Sequence, residues 1–468
     1  MAAGACSTAA PSAPATTGPA PDAPATVPVS SGPVDGAAGC PSAGPASTTS
    51  TAASPRAASY LGADADDAAN AVDIGAGCHI VVGGRFSGVP GPVTTLAGGG
   101  PGTVVRLDPT GRTVVGVTRV PAVVADLEVR RTTGDIAVAT GRGVLVLDAA
   151  AATVRWQAPG PASRVAIGDA GTVAALGGTT VRVFDAAGVV QSTIRLDGRT
   201  VNDVAVDDRD DLVVVTGFAQ RGGPCHQVQI AYVHAYSRRG ALRWKAYDFA
   251  ADGLGDACAD SRGDRVAVGR DGRLYFAGET AGGNTVFARD SRDIGRAAPN
   301  VAGDKFTSAS NTGSAHLTYF ARIDVTDGRV TGGSMLLARI DTKGDKGNTI
   351  TPNAITADAG GNVYLGGVSA YRIADRDRLT MNGKTLAPYA GGDAWVLVTG
   401  PDLKKRLLWT VWCDGGKGEV RGVAASGGVA AVAARVDQAP FYTVRPVQPG
   451  AAPGTGAGYF ATWPAAAS

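Results

Sequence analysis

Residues able to do chemistry are scarce in this chain: four histidines and six cysteines among 468 positions. His79, His226, His234 and His316 follow none of the spacings that place two imidazoles on one metal. No HExxH helix, phosphate loop or nucleophile elbow occurs. Gly98-Gly99-Gly100-Pro101-Gly102 has glycines enough for a phosphate cradle, but no helix follows to supply amide donors. Asp341-Thr342-Lys343-Gly344-Asp345 has the outline of a calcium loop, with Lys343 where a ligand oxygen is required. Arg262-Gly263-Asp264 spells an adhesion tripeptide, too short a string to weigh. His79 reads as a turn residue, His234 as a strand residue, and His226 adjoins Cys225 in a loop. His316 ends the longest insertion and is the one histidine singled out as a functional candidate. The sequence assigns no catalytic residue, no metal and no cofactor.

The elements that must position these residues come from a repeat. Residues 70–84 (NAVDIGAGCHIVVGG) align without a gap to residues 353–367 (NAITADAGGNVYLGG). Residues 264–278 fit the same template, and 202–217 fit it with one extra residue. Shorter relatives are 125–140, 163–178 and a seventh starting at Arg421. Each is a small-residue strand, a tight Gly/Asp turn and an apolar strand, the signature of a β-hairpin. A second hairpin usually follows, turning at Asp108–Gly111, Asp185–Gly188, Ser237–Gly240 or the one-residue-longer Asp324–Gly328. Asp caps amides at the first turn position, and Gly tolerates positive φ at the last. Trp156, Trp244 and Trp409 recur in the strand after this turn, where a large ring packs neighbouring sheets. Two hairpins repeated seven times predict an all-β, seven-bladed β-propeller of four-stranded antiparallel blades, with a β-sandwich array as the rival. The seventh unit lacks a fourth strand. Residues 57–62 precede the first inner strand as 409–412 precede the seventh, so they are expected to pair with 458–463 and close the ring. The alternative takes 441–447 as third strand and 458–463 as fourth.

The stretch SYLGADADDAANAVDIGAGCHIVVGG and its echo DAGGNVYLGG (358–367) resemble the repeat of SBBP-type bacterial seven-bladed propeller proteins. The resemblance covers residues 57 to 463 and is sharp in units one, five and six. Units two and three look more like the Trp-bearing quinoprotein-type blade. It implies an extracytoplasmic, often surface-attached protein and no particular reaction.

A four-stranded blade places its 1–2 and 3–4 turns on one face and its 2–3 loops and inter-blade connections on the other. The 2–3 segments are long at 85–102, 218–228, 280–316 and 368–393, and the last unit adds 436–457. Long loops gathered on one face make that face the expected docking surface. The inner strands begin there too. Their aligned first positions are Asn70, Ala125, Ser163, Asn202, Asp264, Asn353 and Arg421; the next are Ala71, Asp126, Arg164, Asp203, Arg265, Ala354 and Gly422. This polar channel-mouth ring is suited to a small polar ligand or to ordered water. Cys225 and Cys258 fall on the same face and blade edge and are expected to form a disulfide, which suits an oxidising compartment. Cys78 lies in a 1–2 turn and Cys413 on the loop-rich face; Cys40 could reach either.

Lys+Arg of 43 against Asp+Glu of 41 offers no electrostatic footprint for nucleic acid. No apolar run approaches the ~20 residues of a membrane helix. Residues 1–55 carry two charges, Asp22 and Asp35, and ten of the 27 prolines, the composition of a disordered Ala/Pro/Ser/Thr-rich tail ahead of a propeller at 56–468. Cys6 follows Ala3-Gly4-Ala5, which resembles a bacterial lipoprotein's cleavage and lipidation site, although Ala3 replaces the usual Leu. That implies a lipid anchor with the tail as tether. The expected function is a non-enzymatic, secreted or envelope-anchored binding or scaffolding module contacting protein or glycan through its loop-rich face. The rival is a propeller enzyme, a lyase or quinoprotein, acting at the channel mouth.

Overall fold

Valine, alanine and glycine suit a crowded pleated surface, and in the computed structural model the repeats built from them are strands throughout. The structure describes residues 40, 51–62, 64, 66–96, 98–222, 225, 227–299, 301–303, 315–340, 346–448, 450 and 456–466. Cys6 and the rest of 1–39 and 41–50, His226 and the segment 341–345 lie outside them. Among the described residues the only helices are single 3-10 turns.

Seven sheets each hold four antiparallel strands. Sheet A is Ala68–Ile74, Ile80–Arg85, Gly102–Leu107 and Val114–Val120; sheet B is Val124–Val129, Ile136–Thr140, Gly143–Leu147 and Val154–Pro159. Sheet C is Arg164–Ile167, Val173–Gly177, Thr180–Phe184 and Val190–Arg195; sheet D is Thr200–Asp207, Leu212–Arg221, Val228–Tyr236 and Leu242–Tyr247. Sheet E is Ser261–Val268, Leu274–Thr280, Leu317–Ile323 and Val330–Leu336; sheet F is Ile350–Ala357, Val363–Ser369, Asp393–Thr399 and Arg406–Val411. Sheet G takes Lys417–Ser426, Val429–Gln438 and Ala457–Pro464 from one end of the chain and Ala57–Leu61 from the other. The first strand of each sheet lies against the first strand of the next, from A to G and back to A. The arrangement is a closed, propeller-like ring.

The expected closure is present in detail. Ala57–Leu61 runs antiparallel to the penultimate strand of sheet G, Ala57 opposite Thr462 and Leu61 opposite Gly458. Residues 441–447 are not a strand of the sheet, as the alternative required. They cross outside Ala57–Leu61: Ala58 and Val444 exchange backbone hydrogen bonds, and the Phe441 amide donates to the Tyr60 hydroxyl at 2.7 Å. Gln448 then bonds both backbone groups of Gly62, at 3.0 and 2.6 Å. The free edge of the last sheet is thus covered.

Two recurrent residues explain how neighbouring sheets register. The Trp156 indole donates to Ala186 O at 3.2 Å, and that of Trp244 to Val325 O at 2.7 Å. Each thereby caps the 3–4 turn of the following sheet. Gly188 and Gly328, the last residues of those turns, hold φ of +82° and +79°, and a Cβ on either would meet the indole within 2.7 Å. Glycine is required there by conformation and by contact together. In the 1–2 turn of sheet F, buried Asp358 accepts from the Gly360 and Asn362 amides, the Asn362 side chain and the Tyr364 hydroxyl, all at 2.9–3.0 Å. This accounts physically for the spacing in DAGGNVY.

The tail boundary expected after residue 55 moves toward the N-terminus. Ala52–Ala53 pairs in parallel with Thr380–Met381, and Cys40 is bonded to Cys78. The 218–228 loop shortens to 222–227, because the strands of sheet D continue through Arg221 and resume at Val228. Two other long loops add a parallel fifth strand at the rim: Val93–Thr95 on sheet A and Val301–Gly303 on sheet E.

Candidate functional site

An inner strand has a bare edge toward the axis, so its backbone polar groups need partners other than strands. Side chains of the preceding sheet supply them. Asn70 donates to Val124 O at 2.8 Å, Asn202 to Gly263 O at 2.8 Å and Asn353 to Val420 O at 3.0 Å. Asp73 accepts from the Val129 amide at 2.7 Å, Asp126 from Val165 at 3.1 Å, Glu128 from Ile167 at 3.0 Å and Asp203 from Val266 at 3.0 Å. These bonds run sheet to sheet and stitch the inner strands into a ring.

The aligned first position has a backbone reason that alignment did not show. In sheets A, B, D, E, F and G the pairing register slips by one residue there, so Asn70, Ala125, Asn202, Asp264, Asn353 and Arg421 are β-bulge residues. A bulge re-aims a side chain and increases local twist. Ser163 stands just ahead of the first strand of sheet C.

All nine ring residues named from sequence line one axial channel. Asn70, Asn202, Asp264, Asn353 and Arg421, with Arg164 and Arg265, line an open mouth of about 640 Å³. Asp126 and Asp203 lie deeper, in a cavity of about 130 Å³ that Arg164 and Arg265 also border. Two further guanidiniums line this same cavity and reach across the axis. Arg131 of sheet B donates to Val268 O and to Gly269 O, the latter at 2.9 Å, on sheet E. Arg270 of sheet E donates to Ile74 O at 2.7 Å on sheet A. Asp73, Glu128, Arg131 and Arg270 were missed by the sequence reading. Strand alternation carried part of the signal, since Asp73 and Glu128 sit two residues beyond the channel-facing Ala71 and Asp126.

Burial sets the electrostatics here. It lifts Asp126 to about 6 against the pull of Arg164, and, with Asp73 nearby, lifts Glu128 to about 8. Burial, then Glu279, pushes Asp264 well above the carboxylate range. Arg265 is lowered to about 10 by burial, then by the like charge of Arg164.

His316 lies beside the mouth rather than in it. Its Nδ1 is 3.0 Å from Glu279 Oε1, which also accepts from Arg262 at 2.6 Å. Burial raises Glu279, but these two partners outweigh it and bring it below its ordinary value, while the contact raises His316. The Ile350 amide donates to His316 O at 2.8 Å. The histidine fastens the end of the 281–316 loop between sheets E and F. His234 is buried in sheet D with Nε2 2.9 Å from Asp248, and His79 reaches Leu107 O at 3.2 Å from its turn.

Cys225 and Cys258 form the expected disulfide, and Cys40 bonds Cys78 rather than Cys413, which is free and buried. The long loops carry structure of their own. In 370–392 a fully buried Arg376 clasps Asp393 at 2.8 and 3.3 Å and donates to Cys413 O at 3.2 Å. Arg289–Asp290 and Asp293–Ala297 form a small hairpin inside 281–316. Among the described residues no cluster of three or more His, Cys, Asp or Glu is placed to hold a metal ion, and no helix is long and apolar enough to cross a membrane.

No family model matches the chain, and no curated protein matches it. Among solved structures it resembles a chain from "Crystal Structure of Mitotic Checkpoint Complex", 9% identical over 82% of this chain and 93% of that one, with a TM-score of 0.45. A likeness at that level carries no argument about function.

Proposed function

We propose that the chain is a seven-bladed β-propeller of the SBBP type, working outside the cytoplasm as a binding or scaffolding module. It contacts a protein or glycan through its long-loop face. The observation that carries this reading is the asymmetry of the two faces. The segments 86–101, 281–316, 370–392 and 439–456 all leave the sheets from one face. Their described parts are braced by rim strands, an ion pair or a small hairpin that reaches the 3–4 turn of sheet E. Opposite them are turns of a few residues. Preorganised loops on a rigid ring are how such scaffolds commonly present a recognition surface. The two disulfides suit an oxidising compartment, and a lipid on Cys6 would hold the module at a membrane surface.

Photo-crosslinking residues placed singly at Gln220 and Ala374 on the loop face, and at Ala187 and Thr326 on the turn face, test the reading in the native envelope. Capture of one protein or glycan from the loop-face positions alone is expected. Equal capture from both faces overturns it. Alkylation of the chain trapped in cells is expected to leave Cys40, Cys78, Cys225 and Cys258 unmodified; four free thiols would place the protein in a reducing compartment.

A further inference from the structure

Nearly every charged group in the channel is committed to a partner. Both oxygens of Asp126 accept backbone amides, Leu127 at 3.0 Å and Val165 at 3.1 Å. Asp203 Oδ2 accepts from Val266. Arg421 is held by Asn70 at 2.6 Å and by Glu419 at 2.8 Å. Arg164 is the exception. It makes no hydrogen bond with any described residue, and its one ion pair, to Asp203 Oδ1, is 4.0 Å long. Its side chain is 22% exposed, and it borders both the mouth and the cavity beneath. Arg265 shares that position. It donates to Asn353 O and to Asp264 O, the latter at 2.7 Å, which leaves Nη2 without a hydrogen bond. Asp264 Oδ2, also at the mouth, is buried with no partner.

Asp203 already faces both guanidiniums, yet Arg164 and Arg265 Nη2 keep N–H groups with no acceptor among the described residues at the mouth. A planar fork of N–H donors matches two oxygens of one acceptor group. We propose that Arg164 and Arg265 form the floor of an oxyanion site at the channel mouth, which takes the phosphate or carboxylate group of a small ligand entering from the loop face. This site is independent of what the outer loops bind.

The test is calorimetric titration of the full chain at matched ionic strength, with inorganic phosphate in one arm and glucuronate in the other. Saturable binding in at least one arm is expected, and the stronger arm identifies the ligand's acid group. Arg164→Gln is expected to melt like the parent, since it gives up no hydrogen bond, and to weaken binding at least tenfold. Arg155→Gln, on the outer strand of sheet B, is expected to bind as the parent does. No binding in either arm overturns the proposal, as does native-melting R164Q that binds like the parent. Should R164Q fail to fold, Arg164→Lys keeps the charge without the fork and is expected to bind at least fivefold more weakly. Parent-like binding by R164K, or failure of both variants to fold, also overturns the proposal, because Arg164 would then have another use.

Discussion

At the scale of single residues, the channel shows acids held where water cannot fully support their charge. Glu128 is the clearest case. Its Oε2 accepts the Ile167 amide at 3.0 Å, while burial and then Asp73 lift the carboxyl to about 8. The unfolded chain releases this proton near the ordinary value of 4.5. Folding therefore takes up a proton between those two values. The stability this contributes is fully present below about pH 4.5 and is lost as pH rises through about 8. Glu128→Gln keeps an acceptor for Ile167 and removes the titration. The variant is expected to melt higher than the parent at pH 8.5, and the difference is expected to shrink toward pH 5. Thermal melts of both proteins across that range check this, and parallel profiles would show that Glu128 ionises freely in the folded state. Asn353 tests the stitching itself. Asn353→Ala leaves Val420 O without its 3.0 Å donor and is expected to cost about 1 kcal/mol in a denaturant titration.

At the scale of elements, the contact that joins sheets is a tryptophan on the turn glycine of the next sheet. Gly328→Ala forces an L residue to φ +79° with its Cβ 2.5 Å from the Trp244 ring. A cost of about 1–3 kcal/mol is expected from the backbone alone. Gly116→Ala is the control, since a Cβ there meets nothing within 4 Å and the backbone needs no positive φ. Equal denaturation midpoints for the two variants would remove the turn from the account of sheet registry. The Asp-x-x-Gly turns and the outer tryptophans were legible in the sequence because turn chemistry and ring size are local properties. So was the polar ring, because aligned repeats put equivalent residues at equivalent heights. The bulges were not, because a register slip belongs to the pairing of two strands and leaves no residue signature of its own. Arg131 and Arg270 were not either. They sit in turns of sheets B and E and meet partners on other sheets across the axis, so no local period marks them. His316 was found by position in the chain, but its partner Glu279 lies in a strand, where an isolated acid reads as a solvated residue.

At the scale of the whole molecule, stability depends on joining the two ends of the chain in one sheet. Residues 56–62 do this with few atoms. Arg56 N donates to Thr462 O at 2.7 Å, Ala57–Leu61 pairs residue by residue with sheet G, and Tyr60 and Leu61 are buried. Tyr60 also meets Tyr459 edge-on at 5.9 Å between ring centres. Truncation after residue 55 and truncation after residue 62 both remove Cys40 and the Ala52–Ala53 pairing. Their difference therefore isolates the closing strand from the disulfide and from the contact with Thr380–Met381. Burial of two large side chains contributes roughly 3–5 kcal/mol by transfer estimates, and the lost strand hydrogen bonds add to it. That is a large share of the ~5–15 kcal/mol net stability of a folded domain. The shorter chain is expected to melt far below the longer one, or to associate through the exposed edge of Ala457–Pro464, as light scattering during the melt would show. The segment 441–448 cannot substitute for the strand. Its backbone pairing to sheet G runs through Ala58, with further bonds to Ser59, Tyr60 and Gly62, all of which the longer truncation deletes. What remains is the Tyr459 hydroxyl on Tyr442 O and the Phe441 ring on Tyr459, which pair no strand. Equal melting of the two truncated proteins would mean that sheet G is stable with three strands, and that the ring is held by its inner stitching rather than by the union of its ends.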